Sequence, residues 1–377
     1  MSDAAPPLRV RPHLDSLPPY TPIEPFEVLS RRLGRASSEI VKLDANENPY
    51  GPSPQVHKAL GEMAYTPLYP DPESRLLREA LAEFSCVPVQ NLLAGSGADE
   101  LLDLLVRTLV EPGETVLSCP PTFGMYAFDT LMNAGELVEV PRKPDFSLDL
   151  PAIRSAVQNH RPRIIFLASP NNPDGSMLPE AEFEELLRLP ALLVLDEAYI
   201  EFSGSGRLGA AASRIRRVSE AGNLVVLRTF SKWAGLAGLR VGYGAFPDWL
   251  MPVLWKAKQP YNVNVAASTA ALASLADLEP LETNLIRLLA ERERLYAALE
   301  GFEWLSPYPT RANFILCRVR GIEAAELKHR LAVEHGILVR YFSKPGLQDH
   351  IRVSVGRPHE TQAFLAALNR FDKEITS

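Results

Sequence analysis

Cysteine is scarce. Cys86, Cys119 and Cys317 are the three in 377 residues, far apart and with no CxxC pair. Neither a disulfide framework nor a cysteine zinc site is expected, and the thiols read as reduced. The seven histidines are dispersed, with no HxH, HxxxH or HExxH cluster, so no metal is assigned. Positive charge is not in excess either: 39 basic against 46 acidic residues give a formal charge of −7. That is the wrong sign for a nucleic-acid footprint. No apolar stretch approaches the roughly 20 residues of a membrane span. The opening MSDAAPPLRVRPH lacks the apolar core and cleavage pattern of a secretory signal. A cytoplasmic location is the expectation, with no membrane and no nucleic-acid partner. What remains is ordinary globular material: 46% hydrophobic residues, enough for a sizeable core in two or three domain-sized units.

The first 40 residues are rich in proline and charge. Pro18, Pro19, Pro22 and Pro25 fix φ and remove donors, which predicts an extended arm followed by a short helix. From about residue 75, helical spacing in SRLLREALAEF and ADELLDLLVRTLV gives way to short β-rich runs: ETVLSC, ELVEV, RIIFLAS, ALLVLDE and NLVVLRTF. Several of these are continuous apolar runs, as in parallel strands covered on both faces. Amphipathic segments such as PAIRSAVQNH and EAEFEELLRL lie between them. The alternation predicts an α/β fold, with a large domain over 41–265 built on a mostly parallel sheet flanked by helices. Near 265 the pattern changes to helices, including the long LETNLIRLLAERERLYAALEGF, then NFILCRV, AAELKHRLAVEHG, ILVRYF and IRVSVG. This predicts a smaller α+β domain over 266–377, packed with the N-terminal segment.

Three consecutive apolar runs end in polar residues. RIIFLA runs into Ser169-Pro170-Asn171-Asn172-Pro173-Asp174-Gly175, ALLVL into Asp196-Glu197-Ala198-Tyr199, and NLVVL into Arg228-Thr229-Phe230-Ser231-Lys232. In open α/β sheets ligands bind outside the carboxyl ends of the strands. Taken singly, each motif has a plainer reading. Asn-Pro-Asp-Gly is a turn sequence, Asp196 suits a helix N-cap, and a lone lysine is usually solvated. Gly95-Ser96-Gly97 is half of a dinucleotide fingerprint, but Glu100 stands where the third glycine would be. A small-residue turn opening a helix still makes an anion site.

Taken together, these residues supply what pyridoxal 5'-phosphate requires. Lys232 offers the amine for a Schiff base, and Asp196 a carboxylate for the pyridine nitrogen. Asn172 and Tyr199 offer donors for the ring oxygen. Ser96 to Asp99, with Thr229, Ser231 and Arg240, offer a phosphate cup.

The ordered motifs LDANENPYGPSP, YPDPESRLLREALAEF, GSGADELLDLL, PPTFGMY, SPNNPDG, LDEAYIEF, TFSKWAGLAGLRVGY, TRANFIL and IRVSVG resemble the class I/II aminotransferases of PLP fold type I. Within them the sequence is most similar to the histidinol-phosphate aminotransferases. The resemblance runs from about Val10 to Gly356. It implies that Lys232 carries the cofactor and afterwards moves the substrate proton. It implies that Asp196 pairs with the pyridine nitrogen, and that Tyr199 and Asn172 reach the ring oxygen. Phe123 would stack on the ring. Ala98 and Asp99 would offer backbone N–H groups to the phosphate beside Ser231 and Arg240. Tyr69 would reach the phosphate of a neighbouring subunit, making a homodimer with shared sites. Arg352 would grip the substrate carboxylate, Arg340 the phosphate ester, and Tyr20 would cover the substrate. Asp174 stands where many of these enzymes have threonine, and Trp233 follows the lysine at a variable place.

The function so implied is amino transfer between L-histidinol phosphate and 2-oxoglutarate, in histidine biosynthesis, by a ping-pong route. Transfer to or from aromatic amino acids is the alternative within the family. A PLP lyase such as a threonine-phosphate decarboxylase, or a non-catalytic sensing module of the same fold, would be other classes.

Overall fold

The computed structural model describes residues 10–17 and 24–375. Its strands are β1 (Val41–Leu43), β2 (Leu92–Gly95), β3 (Thr115–Ser118), β4 (Glu136–Glu139), β5 (Ile164–Ala168), β6 (Leu192–Asp196), β7 (Leu224–Thr229), β8 (Gly242–Ala245), β9 (Leu305–Pro307), β10 (Phe314–Val319), β11 (Ile337–Tyr341) and β12 (His350–Ser354). Its α-helices are α1 (Phe26–Leu33), α2 (Pro54–Gly61), α3 (Arg75–Ser85), α4 (Gly97–Leu109), α5 (Met125–Met132), α6 (Leu150–His160), α7 (Glu180–Leu187), α8 (Met251–Ala257), α9 (Val265–Ala276), α10 (Leu278–Glu300), α11 (Ala324–His335) and α12 (Pro358–Ile375). All the strand-like and helix-like runs named from the sequence fall on these elements.

The strands form two sheets. The larger has seven, in the order β2-β8-β7-β6-β5-β3-β4. All its pairings are parallel except those of β8, which runs antiparallel to both neighbours. The continuous apolar runs follow from cover on both faces. Ile165, Leu167, Leu193, Leu195, Leu224 and Val226 enter one hydrophobic cluster, while Ile164, Phe166, Leu192, Val194, Val225 and Leu227 enter another. The period of two along each strand sends alternate residues to opposite faces. The first face is covered by α3, α6, α7 and α9, the second by α4 and α8.

Register levels the strand ends. Ala168 pairs with Asp196, and Asp196 with Leu227, so the residues after β5, β6 and β7 emerge at one edge.

The second sheet has five strands, in the order β1-β11-β12-β10-β9. Its core joins Ile315, Val339, Ile351 and Val353 to Leu331 of α11, Leu295 of α10, and Phe364 and Phe371 of α12. The division near 265 differs from the packing in two places. β1 pairs in parallel with β11 of the second sheet. Helix α9 packs on α2 and α3 of the first body, through Ala267, Ala270 and Ala271. A three-residue strand finds its partner almost 300 residues away, which local pattern does not reveal. Among the described residues no helix is long and apolar enough to cross a membrane.

Candidate active site

The edge where β5, β6 and β7 end gathers most of the residues singled out from the sequence. Asp196 closes β6 and is buried, with 5% of its surface exposed. Its Oδ2 accepts the Tyr126 hydroxyl at 2.8 Å, and its Oδ1 accepts the Ala198 N–H at 3.0 Å. Burial pushes its carboxyl up to about 6, against the opposing pull of those two donors. Lys232, partly buried beyond β7, donates from Nζ to the Ala45 carbonyl at 3.3 Å. The same ammonium lies 5.9 Å from the centre of the Tyr199 ring. The Tyr199 hydroxyl accepts from Asn46 Nδ2 at 3.0 Å, and its ring meets Phe314 edge-on.

The cup expected for an anion lies where β2 turns into α4. Gly97 has a φ of +79°, and a Cβ there would stand 2.6 Å from Arg240 Nη2. The positive φ favours glycine, and a side chain there would push that guanidinium aside. Arg240 donates to Asp99 Oδ2 at 2.9 Å and to Ser231 Oγ at 3.3 Å. Thr229 Oγ1 lies 2.9 Å from Ser231 Oγ and accepts the Ser231 N–H at 3.1 Å. The first N–H groups of α4, those of Ala98 and Asp99 included, have no partner within the helix. The Ser96 N–H differs: it is taken by Glu100 Oε2 at 2.6 Å, and Asn262 Nδ2 holds the same carboxylate at 2.7 Å. Phe123 stands at the start of α5, edge-on to Tyr126 at 5.7 Å between centroids.

The second sheet brings two arginines to the same side. Arg340 of β11 and Arg352 of β12 are directly opposed across the antiparallel pair. Like charges so placed repel each other, and an anion between them would offset the repulsion. Arg352 is buried; it donates to Asn172 Oδ1 at 2.5 Å and to the Asp44 carbonyl at 2.9 Å. Both guanidinium groups lie beside the Phe342 ring, at 5.8 and 5.6 Å. Arg352 thus ties the Asn172 loop of the first body to the second sheet.

Two expected residues stand apart. Tyr69 is 83% exposed, its ring stacked on Tyr261 at 4.7 Å. Tyr20 lies outside the described residues. Sequence reasoning missed Tyr126 and Asn46, which hold Asp196 and Tyr199. Both sit inside motifs quoted above, but nothing local marks their long-range partners.

The donor set suits pyridoxal phosphate. A buried carboxylate oriented by two donors would hold a protonated ring nitrogen. A partly buried amine, a ring-oxygen donor and a cationic cup at a helix start complete the requirement.

A model of the family described as "Aminotransferase class I and II" matches residues 38–368. The chain is 52% identical over 363 residues to "Histidinol-phosphate aminotransferase, chloroplastic" of Nicotiana plumbaginifolia, covering 96% of this chain and 86% of that protein. It is 47% identical over 367 residues to "Histidinol-phosphate aminotransferase" of Roseiflexus castenholzii, covering 95% of this chain and 97% of the other. Among solved structures, the histidinol-phosphate aminotransferase of Sinorhizobium meliloti in complex with pyridoxal-5'-phosphate superposes with a TM-score of 0.86. The two are 31% identical, over 97% of this chain and 98% of that one.

Proposed function

The chain belongs to the class I and II aminotransferases, and on that premise we propose that it is a pyridoxal-phosphate enzyme exchanging an amino group between L-histidinol phosphate and 2-oxoglutarate. The products are imidazole-acetol phosphate and L-glutamate, and the place in metabolism is histidine biosynthesis. The opposed pair Arg340 and Arg352 carries this reading. One buried guanidinium suits the carboxylate of glutamate, and a second across the ladder suits the larger, more highly charged phosphate ester of histidinol phosphate.

The cofactor, when bound, would supply an electron sink for the pair left by breaking the Cα–H bond of the substrate. Lys232 would hold it, and its Nζ, once displaced from it by the substrate amine, would take the proton from the substrate Cα. Asp196, kept as an anion by a cationic partner, holds the ring-nitrogen proton in place. Tyr199 donates toward the ring oxygen, with Asn172 beside it. Phe123 flanks the ring. The N–H groups of Ala98 and Asp99, with Ser96, Thr229, Ser231 and Arg240, bind the phosphate. Arg352 orients the substrate anion, and Tyr20 covers it.

A homodimer with shared sites belongs to the proposal, Tyr69 reaching the neighbour's phosphate. The exposed Tyr69–Tyr261 pair supports it. A cytoplasmic location remains part of the reading. The division into an arm over 1–40, a large domain over 41–265 and a small one over 266–377 does too, with β1 and α9 crossing it.

The test is a half-reaction followed by absorbance, with L-histidinol phosphate added and no keto acid. Phenylalanine and threonine phosphate run in parallel. The proposal expects fast spectral conversion with histidinol phosphate alone. Faster conversion with phenylalanine would make the enzyme an aromatic aminotransferase, and carbon dioxide release from threonine phosphate would make it a lyase.

A further inference from the structure

Three successive residues after β1 each hold a different polar group of the site. The Asp44 carbonyl accepts from Arg352 at 2.9 Å, and the Ala45 carbonyl from Lys232 at 3.3 Å. Asn46 Nδ2 donates to the Tyr199 hydroxyl at 3.0 Å. Asn46 is 1% exposed and sits at a φ of +55°, in the left-handed region that asparagine tolerates better than most residues. Its surroundings hold it there. Its N–H donates to Ser354 Oγ at 2.8 Å, its Oδ1 accepts from Ser354 Oγ at 3.0 Å, and its carbonyl accepts from Asn313 Nδ2 at 2.9 Å.

These bonds have one direction. A serine hydroxyl has a single proton. Ser354 Oγ accepts the Asn46 N–H and gives its proton to Asn46 Oδ1. In this arrangement Nδ2 of the amide faces Tyr199. The Tyr199 oxygen is an acceptor on that side, and its own proton must point elsewhere.

We propose that Asn46 is a positioning residue that fixes Tyr199 as a hydrogen-bond donor toward the ring oxygen of the bound cofactor. The inference rests on the aminotransferase reading, with Tyr199 in the role given above. Polarity runs from Ser354 through Asn46 to Tyr199, and each step strengthens the next. A donor at the ring oxygen favours its anionic form. Without an oriented donor the cofactor holds its proton more tightly, and the visible absorbance of the loaded enzyme titrates at a higher pH. The charged groups around Tyr199 stay in place when Asn46 is changed. They are Lys232 beside its ring, Asp196 three residues upstream, and Arg352, which shares the Phe314 ring with it.

The test is a pH titration of the visible absorbance of loaded wild-type, Asn46→Ala, Ser354→Ala, Tyr199→Phe and Asn46→Ala/Tyr199→Phe enzymes. Asn46→Ala is expected to raise the midpoint by about half to one pH unit, the size of one net hydrogen bond. Ser354→Ala should raise it less. In the Tyr199→Phe background Asn46→Ala should add almost nothing, because the hydroxyl it orients is gone. An unchanged midpoint in both Asn46→Ala and Ser354→Ala would overturn the proposal. So would an equal shift in both backgrounds, which is what a merely structural asparagine would give. If Asn46→Ala fails to fold, Ser354→Ala alone decides, since it removes the orienting proton and keeps the amide. Absence of visible absorbance from the unaltered enzyme would instead mark failure of the cofactor reading itself.

Discussion

Replacing Arg340 by alanine should separate the phosphorylated amino donor from phenylalanine. Arg340 stands directly across the β11–β12 ladder from Arg352. Arg352 is buried and already engaged with Asn172 and Asp44, whereas Arg340 is only partly buried. Hydrogen bonds to charged groups contribute about 1.5–3 kcal/mol. Partial exposure places Arg340 at the lower end, about 1.5–2 kcal/mol after solvent screening. At 1.4 kcal/mol per factor of ten, kcat/KM for L-histidinol phosphate falls by roughly 10- to 30-fold. Phenylalanine carries a carboxylate, which Arg352 would take, and no phosphate ester, so its kcat/KM should move by no more than about threefold on the same scale. Arg340→Lys keeps the charge but not the planar fork, and should fall between the two. Single-turnover absorbance with each donor measures both numbers on one preparation. Equal losses for the two donors would refute the phosphate role of Arg340.

Other consequences follow from the same contacts. Asp129 is 4% exposed and its Oδ2 has no hydrogen-bond partner. Burial, and then the charges of Asp103 and Asp99, push its carboxyl up to about 8. The native state therefore binds a proton that the unfolded chain releases near 4. Stability from this group is present at low pH and lost as pH rises from about 4 to about 8. Asp129→Asn should raise the Tm at pH 8.5 and leave it nearly unchanged at pH 4; a rise of equal size at both pH values would contradict this. Gly97→Ala places a Cβ against Arg240 at a positive φ, and should weaken cofactor retention by about tenfold, read by dialysis and absorbance. Retention at the wild-type level would place the phosphate elsewhere. Arg228 and Glu201 form a buried ion pair at 2.7 Å, with 3% and 1% of their side chains exposed. Removing one partner strands the other, so Arg228→Met should cost about 3–5 kcal/mol in a denaturant titration, and Arg228→Met/Glu201→Leu much less.

Legibility in the sequence followed the range of the forces involved. The strands β5, β6 and β7 were readable because cover on both faces demands unbroken apolar runs, and their polar exits named the site. β8 was not. It reads GYGA, and Gly242 is there because a Cβ would lie 2.6 Å from the Ala98 nitrogen. Close approach of sheet and helix leaves no apolar run to find. Asn46 was passed over because its partners, Tyr199, Asn313 and Ser354, lie 153 to 308 residues away. Tyr126 was hidden in an apolar helix whose burial its ring already explains. Lys232 and Asp196 stood out because three consecutive apolar runs end in polar residues at one edge of the sheet, and the roles proposed for them come from the resemblance.

The central claim is that Lys232 carries the cofactor. Borohydride reduction of the purified enzyme, followed by proteolysis and mass spectrometry, tests it directly. Phosphopyridoxyl mass on the peptide containing Lys232, and its loss in Lys232→Ala, is the expected result. Label on another lysine, or a Lys232→Ala enzyme that keeps its visible absorbance and turnover, would contradict the account.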